Sequence, residues 1–154
     1  MADTYVVERS KKIAASPADV FTHVVSLNEW DKWSPWAAMD PNMTKTYTGD
    51  EGTVGSRYHW TGNRKVGEGQ MTVTDIETPS RVAIDLKFIK PFKSDSVTEM
   101  LVSPDGDGSE VTWRMTGEKT LMVKVMGLIG KKMDKMVGPD FEKGLTSLKK
   151  LAEA

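Results

Sequence analysis

The chain's 154 residues fit one domain, and a chain of this size buries about 70% of its unfolded surface, enough for a core without disulfides or a structural metal. Lys plus Arg total 21 against 22 for Asp plus Glu, so no overall field steers the protein toward nucleic acid or an anionic membrane; with no cysteine, thiolate and disulfide chemistry are excluded. The opening MADTYVVERS lacks a basic start and apolar stretch, and no apolar run approaches the ~20 residues that span a bilayer, so a cytoplasmic protein without stable membrane insertion is expected.

YVVERSKKI, Tyr5 to Ile13, is β-branched at its start and reads as a first strand. SPADVFTHVV then opens a helix, with Ser16 as N-cap, Pro17 at the first helical position and Asp19 in the first turn, near the positive end of the dipole. Val20, Phe21, Val24 and Leu27 give it one apolar face. NEWDKWSPW follows, with Trp30, Trp33 and Trp36 at spacings of three, and Pro35 ends any helix there by about Ser34. From Met43 to Thr116 the period changes to two. TKTYTG, GSRYHWTG, GQMTVTDIE, RVAIDLKFI, SDSVTEMLV and SEVTWRMTG are six strands, separated by short links rich in Gly and Pro that make antiparallel hairpins. Leu121 to Ala154 returns to helical spacing in one long apolar stripe, which Pro139 is expected to kink or break. Strand, two short helices, six strands and a long helix make an α+β domain of two layers, in which the sheet and the helical stripe bury one another. No repeat or linker divides residues 1–154, so one domain is expected.

SPADVFTHVVSLNEWDKWSPW, YHWTGN, VGEGQMTVTDIETPSRV, LKFIKPFK, GDGSEVTWRMTG and MDKMVGPDFEKGLTSLKKLAE resemble, in order and spacing, the bacterial polyketide cyclase/dehydrase-like branch of the START and birch-pollen-allergen-like superfamily. The resemblance runs from about Tyr5 to Glu153. It implies a helix-grip fold, in which a curved antiparallel sheet of about seven strands wraps the C-terminal helix around an elongated apolar cavity. The superfamily's activities are diverse, spanning lipid carriers, receptors, cyclases, quinone-binding proteins and chaperone activators, so it implies no single one.

Alternation assigns the lining of that cavity. Tyr58, Trp60, Met71, Val73, Val82, Ile84, Leu86, Phe88, Val111, Trp113 and Met115 share the apolar side of their strands, and Met122, Met126, Ile129 and Met133 look back from the helix. Trp30 and Trp33 are expected to pack inward, with Trp36 at the mouth, as a wall or gate. Ten methionines suit a surface that repacks around varied apolar guests, although a stripe of Met and aromatic residues is by pattern alone more often plain core.

Polar chemistry is sparse. His23 and His59 have no metal partner at ligand spacing, no G-x-S-x-G supports a serine triad, and GEG and GDG do not open helices as phosphate loops do, so no metal or cofactor is expected. Glu99 shares a mixed strand face with Val97 and Leu101. Facing the cavity it would be an acid or base of raised pKa; facing out, a solvated carboxylate. Tyr58 could donate a hydrogen bond to a ligand carbonyl or merely pair with a neighbouring strand. The expected function is binding, transport or sequestration of a hydrophobic small molecule such as a lipid, isoprenoid, quinone or polyketide-like compound. The alternatives are a cyclase, dehydratase or isomerase using Glu99 and Tyr58, and a chaperone-activator-like interaction module, which would show an exposed apolar patch. The expected state is a monomer or weak homodimer that binds no nucleic acid.

Overall fold

A computed structural model describes residues 4–36, 40, 42–64, 66–90, 93–118 and 131–154. The chain runs β1 (Thr4–Ile13), α1 (Pro17–Val25), a single 3-10 turn (Glu29–Lys32), β2 (Thr44–Thr48), β3 (Arg57–Thr61), β4 (Glu68–Glu77), β5 (Arg81–Lys90), β6 (Ser94–Asp105), β7 (Gly108–Glu118) and α2 (Lys131–Glu153). Seven strands form one antiparallel sheet in the order β1-β7-β6-β5-β4-β3-β2. Each hairpin follows from its short Gly- or Pro-bearing link; the pairing of the first strand with the last does not, and it is what leaves β1 and β2 as the two edges. A register shift between Val73 and Asp75 adds a residue to β4, which bends that strand and deepens the sheet's curvature.

Ser16 caps α1 by accepting from the Asp19 amide at 3.2 Å, and Val20, Phe21 and Val24 are buried beneath it. The expected short helix of the Trp segment winds as a 3-10 turn that ends before Ser34, and its three-residue period superposes side chains at i and i+3 and so matches the tryptophan spacing. α2 is continuous through Pro139, so the expected break is absent. Proline deprives residue 135 of its i+4 donor, but one lost bond does not end a helix whose Phe141, Leu145 and Leu148 are anchored in the core. α2 lies along β1, with fewer close approaches to β7, α1 and the 3-10 turn.

Candidate functional site

Register partners carry one row of inward side chains across all seven strands: Tyr5, Gly117, Ser96, Leu86, Met71, Tyr58 and Tyr47. Val7, Met115, Thr98, Ile84 and Val73 form the next row, then Arg9, Trp113, Met100 and Val82. The even-numbered residues of β6 therefore point in. Glu99 faces out, where its carboxylate meets Arg81 Nε at 2.8 Å and Arg114 Nη1 at 3.7 Å. Of the two readings open for Glu99, the outward carboxylate holds and the interior acid or base does not: the mixed composition of β6 hid its face, and only its pairing with β5 and β7 fixes it. Arg114 and Asp85 share that outer face, as alternation required, and His59 turns outward to Glu68 at 2.9 Å.

Two aromatic groups stand on the inner side. Trp30 and Trp33 are 4% and 2% exposed, with ring centroids 4.5 Å apart; their indole N–H groups donate to the carbonyls of Val24 and His23 at 2.9 and 2.8 Å. Trp113 stacks on Phe141 of α2 at 4.1 Å and meets Trp30, Trp33 and Trp36 edge to face. Its Nε1 is the single side-chain atom, among the described residues, both sealed and without a hydrogen-bond partner, and aromatic rings are its neighbours. Trp36 is only half-buried, touching Trp113 and Phe141 from the rim. The second group crosses β2, β3 and β5: Tyr47 stacks on Tyr58 at 5.0 Å, Tyr58 on Trp60 at 5.7 Å, and Trp60 meets Phe88 edge-on at 5.7 Å. Gly69 of β4 makes this possible, since a Cβ there would lie 2.5 Å from the Trp60 ring.

The expected lining residues Tyr58, Trp60, Met71, Val73, Ile84 and Trp113 are buried on the inner face, and Leu86 and Phe88 are partly buried there. Met122, Met126 and Ile129 lie outside the described residues, as does the Met133 side chain. Sequence reasoning missed a polar cluster at the β2 edge. Asp31 Oδ2, from the 3-10 turn, accepts from the Tyr47 hydroxyl at 2.6 Å and from Lys45 Nζ at 3.1 Å. Alternation in TKTYT does place Lys45 and Tyr47 on one face, but nothing local in the sequence brings Asp31 to them. Burial, and then the Asp31 carboxylate, push the Tyr47 and Tyr58 phenols above their ordinary pKa; burial alone raises Tyr5. The exposed large apolar residues described are Val6, Val54, Ile89 and Val97, of which Val6 and Val97 flank Thr116 on the outer face.

Comparison with known proteins adds to this geometry. Residues 4–153 match the family described as polyketide cyclase/dehydrase and lipid transport. The chain belongs to that family. Its fold is the helix grip of birch-pollen-allergen-like proteins. A protein from Chromobacterium violaceum superposes with a TM-score of 0.69 at 13% identity over 97% of both chains. Ara h 8.0201 gives 0.68 at 11% identity over 97% of both. A truncated norcoclaurine synthase from Thalictrum flavum gives 0.68 at 17% identity, over 97% of this chain and 94% of its own. At such identities the likeness is one of fold. No curated protein matches the sequence.

Proposed function

We propose that the protein takes a hydrophobic small molecule between the inner face of β3–β6 and the aromatic layer of the 3-10 turn and α2, to carry or sequester it. The observation that carries this reading is the condition of the inner-face hydroxyls. Tyr5, Tyr58, Ser96 and Thr98 are at most 8% exposed, and no hydrogen bond ties their hydroxyls among the described residues, yet none is sealed as Trp113 Nε1 is. Buried polar groups in a packed core are nearly always paired. Oxygens left open on an otherwise apolar surface suit an interior that is completed by a guest. The contacts of α2 along the β1 side of the sheet are compatible with the same reading, and membership of a family that includes lipid transport supports it. The Glu99–Tyr58 pair considered for acid/base turnover is split by the sheet, with Glu99 on the outer face in an ion-pair network.

Native mass spectrometry of the purified protein, before and after extraction with organic solvent, tests the proposal. An apolar adduct present before and absent after is expected. A protein that carries no adduct and takes up none from a mixture of long-chain lipids, isoprenoids and aromatic ketones would sink it.

A further inference from the structure

We infer that the interior selects guests whose polar end is an uncharged carbonyl, docked on Tyr58 beside the Lys45–Asp31–Tyr47 cluster, and rejects guests headed by a carboxylate. This rests on the apolar-interior reading above and narrows it to one class of ligand.

Tyr58 offers a hydroxyl with no partner among the described residues, on a side chain 8% exposed and gripped between the stacked rings of Tyr47 and Trp60. The ring is therefore fixed, and its O–H is a positioned donor for an acceptor arriving along the inner face. Lys45 is the one cation among the inward residues of β2 and β3, and it is already held by Asp31 at 3.1 Å. The same carboxylate oxygen takes the Tyr47 proton at 2.6 Å. The cluster is thus close to neutral and spends its positive charge internally. A ligand carboxylate at Tyr58 would find no free cation among the described inward residues of β2 and β3, and would feel the Asp31 charge, which adds to burial in raising the Tyr58 phenol. Bringing an unpaired charge into a half-dry site is costly, whereas a ketone or quinone oxygen needs only the hydrogen bond that Tyr58 supplies.

Quenching of tryptophan fluorescence by a long-chain methyl ketone and by the fatty acid of equal chain length, at neutral pH, tests the inference. The ketone is expected to bind about tenfold more tightly. Tyr58→Phe keeps the ring and its stacking, and is expected to weaken the ketone about fivefold while leaving the acid unchanged. Asp31→Asn frees Lys45 and is expected to raise the acid's affinity toward the ketone's. Equal or tighter binding of the acid to the unaltered protein would overturn the head-group assignment and leave the apolar interior standing. A ketone preference untouched by both substitutions would also overturn it. Binding of neither probe would take the apolar-interior reading down as well.

Discussion

Trp33 and Trp36 sit three residues apart and have opposite duties. Trp33 is sealed between Trp30 and Trp113 and tied to the His23 carbonyl, so its removal opens a large void; Trp33→Ala is expected to cost about 3–5 kcal/mol in chemical denaturation. Trp36 lies past Pro35 at the rim, half-buried, with one flank on Trp113 and Phe141. Trp36→Ala is therefore expected to weaken ligand binding several-fold while costing less than half as much stability as the Trp33 change. The reverse ranking would make both simply core. Spacing grouped the three tryptophans and Pro35 set Trp36 apart from the other two, but the ring that stands opposite each one is fixed only by the packing of β7 and α2. Glu99 makes the same point for a charge. Its strand carries polar and apolar residues on both faces, so alternation has nothing to read until Arg81 and Arg114 are brought alongside.

At the scale of elements, α2 is held less by propensity than by one crossing. Gly144 faces Trp113, and a Cβ there would lie 2.7 Å from Cζ3 of that ring and 3.0 Å from Pro35 Cδ. Alanine exceeds glycine as a helix former by about 1 kcal/mol, so on an exposed helix Gly144→Ala would stabilise. Here the indole is fully buried and stacked on Phe141, and it has no room to yield. Gly144→Ala is expected to lower the melting temperature by several degrees, and an increase would show that Trp113 shifts without cost. Close packing also accounts for the continuity of α2 across Pro139. A proline in a sequence signals a lost donor, but whether the helix ends there depends on how firmly the turns beyond it are buried. The three-residue tryptophan period was visible in the sequence, whereas its 3-10 winding depends on the i to i+3 bonds that the Trp30 and Trp33 amides donate to the carbonyls of Leu27 and Trp30.

For the whole molecule, all three tyrosines lie on the concave side of the sheet, and all three phenols are pushed above the ordinary value of 10.0. A group with a raised folded pKa contributes stability that is fully present below its unfolded pKa and is lost as pH climbs toward the folded value. Stability is thus expected to hold up to about pH 10 and then fall steeply, with tyrosinate absorbance appearing together with unfolding rather than before it. Tyr58→Phe should flatten part of that fall. Tyrosinate signal at ordinary pH 10 from a still-folded protein would contradict the burial assigned to these rings.

The amino-acid sequence by itself determined the elements and, β6 apart, their faces: the capped first helix, the six alternating runs with Gly and Pro links, and the long apolar stripe within Leu121 to Ala154. These follow from local periods and turn chemistry, and with the family resemblance they specify the helix grip. The tertiary structure decided whatever depended on residues far apart in the chain. It paired β1 with β7, turned Glu99 outward, and carried Asp31 to Lys45 and Tyr47, fourteen and sixteen residues downstream. Periodicity reports which side of an element a residue occupies. The partner it meets there is set by sheet order and curvature, which emerge only when the whole core closes.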